Sequence, residues 1–138
     1  MGNIVIVGID KIFCANVAKE LSNKINFNFI NAGEKFEKLL VATSGQNVFL
    51  MDDILQQKET EFLNKLSQKN NVVLFVDDDM FLSNENYKLF KNSKIILMEN
   101  EKLNENHLKI QKIIKKYCNY SINIENFDIN NLIKIIKG

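Results

Sequence analysis

Residues 3–21, NIVIVGIDKIFCANVAKEL, gather several of the side chains most able to do chemistry: Gly8, Asp10, Lys11 and Cys14. An apolar run over residues 4–7 stops at Gly8, a short loop follows, and Phe13, Val17 and Leu21 recur at helical spacing. The stretch therefore reads as strand, turn and helix. Such a unit aims backbone N–H groups and the positive end of a helix dipole at the end of a strand, which is how many proteins cradle phosphate. A second cluster, Asp77, Asp78 and Asp79, follows an apolar run at residues 72–76. With Asp10 on the adjacent loop, these carboxylates could hold Mg²⁺ or Ca²⁺ through oxygen ligands. Alternatively, one of them caps the following helix and the others face water. Cys14 is open to two readings as well, a thiol activated by a helix N-terminus or a small buried residue. Cys14, Cys118 and His107 have no metal-ligand spacing, two distant cysteines make no disulfide framework, and His107 reads as a surface residue.

The elements that must position these groups alternate along the whole chain. After the first strand and helix come a short strand at residues 27–30, a helical turn or two at 34–40, and a polar, loop-like piece at 42–47. Leu55, Phe62, Leu63 and Leu66 set a helix over residues 52–66, and residues 68–71 form a turn. The continuous apolar run at 72–76 suits a strand buried on both faces. A helix containing Tyr87 and Phe90, a strand at 94–98, a helix carrying Ile110, Ile113, Ile114 and Tyr117, a strand at 120–124 and a terminal helix with Leu132 and Ile136 complete the order. Strands separated by helices imply right-handed crossovers and a mainly parallel five-stranded sheet covered on both sides. Ligands of such sheets sit at the carboxyl ends of the strands, which here means residues 8–15, 31–33 and 77–79.

Composition narrows the functional classes. The chain has 138 residues, 46% of them apolar, enough for one domain with a real core. Net charge is only +1, and Lys109, Lys112, Lys115 and Lys116 read as the solvated face of one helix, so no nucleic-acid or membrane-surface partner is expected. No apolar segment approaches the ~20 residues that cross a bilayer, and no leader pattern is visible, so the expected compartment is the cytoplasm. All 18 basic residues are lysine. Arginine supplies the bidentate fork that grips phosphoryl groups and small carboxylates, and lysine replaces it only as a point charge.

At the three strand ends the sequence resembles shikimate kinase, a small P-loop phosphotransferase. MGNIVIVG followed by NVAKEL resembles the first strand and helix of that family, and FNFINAGEKFE resembles its second strand and acidic segment. NNVVLFVDDDMFLSNENYKLFKNSKIILMEN resembles the strand before its glycine triplet, the next helix and the next strand; IIKKYCNYSINIENFDINNLIKII resembles its closing helix, strand and helix. The resemblance implies a three-layer α/β/α P-loop NTPase fold across a single domain, residues 1–138.

Departures fall on the chemistry. A Walker A loop needs a second glycine, a lysine for the β- and γ-phosphates and a hydroxyl for Mg²⁺, and Phe13, Cys14 and Ala15 stand in those places. The benzyl group of Phe13 is expected to fill the phosphate space, with Lys11 and Asn16 nearby but misplaced. Asn31 and Gly33 replace two aspartates, Gln56 stands near an expected arginine, and Asp77–Asp79 replaces the glycine triplet and would repel a carboxylate substrate. Too few residues separate the 94–98 strand from the next helix for the family's lid, which excludes water and completes the site. The resemblance, read with these losses, implies a degenerate shikimate-kinase-like pseudoenzyme with no cofactor, acting on another protein or on its own copy. The alternative is a reduced enzyme that still binds ATP with Mg²⁺, or a metabolite, through Lys11 and the aspartates. The first reading expects an exposed apolar patch where the lid would pack; the second expects an open pocket beside Gly8.

Overall fold

The strands whose residues are apolar on both faces occupy the centre of the sheet. The computed structural model describes residues 2–44 and 52–138. Five strands, β1 (Ile4–Gly8), β2 (Asn28–Asn31), β3 (Val72–Asp77), β4 (Lys94–Glu99) and β5 (Tyr120–Asn123), lie in the order β2-β3-β1-β4-β5, and every pairing is parallel. β1, β3 and β4 are inside and almost wholly buried, whereas the edge strands β2 and β5 alone carry exposed residues at their starts. The register sets Gly8 of β1 beside Asp77 of β3, which brings the two suspected strand ends together.

Strand alternation sorts the core into two layers. Ile4, Ile6, Val73, Phe75, Ile96 and Met98 face α1 (Lys11–Ile25) and α6 (Ile129–Lys137). Val5, Val7, Leu74, Val76, Ile95 and Leu97 face α2 (Ala32–Ser44), α3 (Asp52–Ser67), α4 (Asp78–Leu82) and α5 (Glu105–Lys115). At the opposite end of the sheet, buried Asn3 staples the chain: its amide donates to the Lys69 carbonyl at 2.7 Å and its carbonyl accepts from the Val72 N–H at 3.2 Å.

Two expected boundaries shift. The polar piece at 42–47 begins as helix, because α2 continues to Ser44; residues 45–47 lie outside the described residues. The expected helix around Tyr87 and Phe90 is instead the five-residue α4 and a 3-10 stretch, Ser83–Phe90. The break is at Asn84 and Glu85, both left-handed with φ of 51° and 54°. Asn tolerates that region, and buried Asn86 fixes the bend by donating to the Met80 carbonyl at 2.9 Å and accepting from the Thr60 hydroxyl at 2.7 Å. Among the described residues no helix is long and apolar enough to cross a membrane.

Candidate functional site

Gly8 ends β1, and α1 starts only two residues later at Lys11. Asp10 is its N-cap, in an extended conformation, and one carboxylate oxygen accepts the Phe13 N–H at 3.1 Å while its carbonyl accepts the Cys14 N–H at 3.0 Å. A charged cap at this place satisfies an end-of-helix donor and complements the dipole. The connection between Gly8 and the helix is therefore a capped turn.

Cys14 points inward from that first turn and is fully buried. A Cβ placed on Gly8 would lie 2.5 Å from its sulfur and 3.0 Å from the Met98 carbonyl oxygen, so glycine is required here by close approach. Burial, then the charges of Asp10 and Asp78, push the Cys14 thiol up to about 12. Its full burial in the core layer under α1 is that of a packing residue, the second of the two readings of Cys14.

Phe13 departs from expectation. It lies on α1 and turns toward the segment that precedes α6, where its ring meets Phe127 edge-on with centroids 5.6 Å apart. The space over Gly8 is filled by Cys14 instead. The reason is helical geometry: residue 13 falls on the flank of α1 that faces the C-terminal segment, and residue 14 falls on the sheet.

On the other side of the α1 start there is room. A cleft of about 320 Å³ opens between Lys11, Ile12, Ala15, Asn31, Gly33 and Asp77. Asn31 accepts the Glu34 N–H at 3.3 Å, and Gly33 lies against Asp77, whose free carboxylate oxygen would stand 3.3 Å from a Cβ at that glycine. Lys11 and Asn16 are exposed, and the Lys11 charge acts on Asp78.

Of the aspartate triplet, Asp77 is the N-cap of α4, its other oxygen accepting the Met80 N–H at 2.9 Å. Asp78 is half-buried in the first turn and Asp79 is exposed. Burial, then Asp79 and Asp77, hold the Asp78 carboxyl above the usual carboxylate range. Glu59 of α3 belongs to the same cluster, its carboxyl raised by burial, then by Asp77 and Asp79. Sequence reading passed over Glu59, although its place in the apolar stripe of Leu55, Phe62 and Leu63 was a visible signal. Among the described residues no three His, Cys, Asp or Glu side chains are placed to hold a metal ion.

The remaining candidates stay apart from this cleft. Gln56 is exposed on α3 and His107 is exposed on α5. Residues 100–104 alone join β4 to α5, and buried Gln111 holds that turn by accepting the Asn100 N–H at 2.9 Å and donating to its carbonyl at 3.1 Å. Of the large apolar side chains that are exposed, Ile12 borders the cleft, and Leu108 and Ile113 lie on α5 with Tyr117 just beyond it.

For the phosphates of a nucleotide this arrangement is a poor fit on three counts. A carboxylate already takes a helix-start N–H, the volume over Gly8 holds a sulfur, and the neighbouring charges at the strand ends are mainly negative.

No protein-family model matches the chain, and no curated protein does. Solved structures do. A shikimate kinase from Bacteroides thetaiotaomicron matches over 99% of both chains with 13% identity and a TM-score of 0.72. One from Acinetobacter baumannii, solved in complex with shikimate, matches over 99% of this chain and 91% of that one, with 14% identity and a TM-score of 0.70. One from Aquifex aeolicus matches over 98% and 94%, with 16% identity and a TM-score of 0.70.

Proposed function

We propose that this chain, whose fold is that of the shikimate kinases, is a pseudoenzyme: it transfers no phosphoryl group and acts by binding another protein or a second copy of itself. The observation that supports this reading is the packing at the β1–α1 junction, where the buried Cys14 sulfur lies directly against Gly8. Phosphoryl transfer is achieved by positioning and charge stabilisation, so a junction without a phosphate-facing lysine, a hydroxyl or arginines removes most of what the reaction needs. Neither ATP nor Mg²⁺ is then a cofactor.

The test is a thermal-shift titration of the purified protein with Mg·ATP, Mg·ADP and shikimate, separately and together, to millimolar concentrations. A ligand at about 100 times its dissociation constant stabilises a fold by roughly 2.7 kcal/mol, a visible rise in melting temperature. No shift is expected. A saturable shift with Mg·ATP overturns the reading.

One observation favours a second reading, a reduced small-molecule kinase or metabolite-binding protein. The cleft beside Lys11 is open, and it joins one cation, one side-chain amide and the three carboxylates of Glu34, Glu37 and Asp77 in one concavity. On that reading shikimate or a nucleotide gives a shift that Lys11→Ala abolishes.

A further inference from the structure

We infer that the free edge of β2, with the flank of α2 beside it, is a two-fold interface that takes a second copy of this chain. The inference rests on the reading above that the chain acts by binding, and it names the partner and the surface. β2 pairs only with β3, so one side of its backbone is open. The Asn28 N–H donates to the Asn71 carbonyl at 3.0 Å, and strand alternation then turns the N–H and C=O groups of Phe29 and Asn31 to the open side. Native sheets commonly guard such an edge with a charge or a proline on the strand, and Asn-Phe-Ile-Asn has neither. Instead, half-buried Phe29 and Ile30 line an open groove of about 250 Å³ together with Glu34, Lys35 and Lys38 of α2.

Charge complementarity selects a second copy, and selects it antiparallel. Along the groove the charge runs from Glu34, in the first turn of α2 at the carboxyl end of β2, to Lys38 one turn on, and the two form an exposed ion pair at 3.1 Å. The wider surface has the same polarity. Glu37 and Asp77 stand at the carboxyl ends of the strands, whereas Lys24, in the last turn of α1, and Lys69, just before β3, stand at the amino ends. A parallel neighbour would set like charges side by side; a two-fold axis normal to the sheet reverses the neighbour and sets Glu34 beside Lys38 of the second copy, twice. The same axis places Ile30 against Ile30 and Phe29 against Asn31, so the outward backbone groups of the two copies bond each other. Val41, 59% exposed, and Ala42 border the next concavity with Lys38 and extend the contact along α2. The other edge, β5, runs into a 3-10 turn whose Glu125 is held by Lys102 at 3.0 Å, a charged pair at that edge.

The test is sedimentation velocity over a concentration series of the full chain, of Glu34→Lys, of Lys38→Glu, and of the two variants mixed in equal amounts. The unsubstituted chain is expected to dimerise, and its Phe29 and Asn31 amides to exchange more slowly with solvent as concentration rises. Each variant sets like charges together at both symmetry-related contacts and is expected to associate about tenfold more weakly. In the mixture the new lysine meets the new glutamate at one contact and the original pair remains at the other, so the dimer returns. A change in helix stability cannot produce that rescue, because it acts within each chain. Monomer at every concentration, a dimer unchanged in both variants, or no rescue on mixing overturns the inference. Monomer with no Mg·ATP shift leaves the pseudoenzyme reading in place with a different protein as partner. Saturable Mg·ATP binding by a chain that dimerises in this way defeats that reading and upholds this one.

Discussion

Gly8→Ala is expected to be among the most damaging single-methyl additions in this chain. The new Cβ would sit 2.5 Å from the Cys14 sulfur and 3.0 Å from the Met98 carbonyl oxygen, well inside the 3.5–4.0 Å of ordinary contact. Neither neighbour yields easily. The sulfur is a single bond beyond the Cβ of a buried helical residue, and the carbonyl belongs to β4, which is paired on both sides. Overpacking of this kind costs about 1–3 kcal/mol, and two rigid neighbours place the cost at the upper end. That is a substantial part of the roughly 5–15 kcal/mol by which a domain is stable. Cys14→Ala by itself should cost about 1 kcal/mol through the lost sulfur contacts. In the double variant the new methyl meets only the carbonyl, so the two changes should be non-additive by about 1–2 kcal/mol in the rescuing direction. Urea unfolding followed by far-ultraviolet circular dichroism measures all four corners of the cycle, with an unchanged m-value confirming that folded-state packing is being read. A Gly8→Ala cost below about 0.5 kcal/mol, or strict additivity with Cys14→Ala, would refute the view that Cys14 fills the junction.

Three further outcomes are expected. Burial pushes the Cys14 and Cys118 thiols up to about 12, with Asp10 and Asp78 adding to the first and Glu99 to the second, so both should resist thiol reagents at pH 8 until denaturant is added; rapid labelling of the native chain would contradict this. Asp78 and Glu59 are raised in the fold, so the folded chain binds their protons more tightly than the unfolded chain, and their unfavourable contribution at neutral pH fades as pH falls from the raised value to the ordinary carboxylate range near 4. Asp78→Asn should accordingly raise the melting temperature at pH 7 and lose that advantage toward pH 4, and a pH-independent effect would show that the charge cluster is not the cause. Asn3→Ala should cost about 1–3 kcal/mol in urea unfolding, because the Val72 N–H and the Lys69 carbonyl lose their partner inside the fold; a cost under ~0.5 kcal/mol would mean water replaces it.

How much of this was legible in the chain depends on the distance over which each feature is decided. β1, β3 and β4 announce themselves because both faces of a central parallel strand are buried, which writes continuous runs such as Val-Val-Leu-Phe-Val. Capping by one of the triplet was legible too, since an aspartate ahead of a helix needs only its own next three residues, and Asp77 caps; Asp10 was read only as a possible cation ligand, and its cap on α1 came from the structure. The break after Leu82 was not, because the left-handed pair Asn84 and Glu85 is stabilised by Asn86 reaching Thr60 on α3, a partner 26 residues away. The same holds for Glu59, whose significance depends on α3 packing beside the β3–α4 junction.

The β1–α1 junction divides along the same line. Residue types alone raised the expectation that Cys14 and Ala15 stand where a phosphate loop has its lysine and hydroxyl, since both are read directly from the sequence. They also determined the fold class, through continuous apolar runs alternating with segments of helical spacing. Which side chain fills the space over Gly8 was decided only in three dimensions. The helix begins at Lys11, so residue 13 turns to Phe127 and residue 14 turns to Met98. A helix rotates its side chains by about 100° per residue, and its starting point is set by the cap and the packing around it rather than by the motif position that a residue replaces.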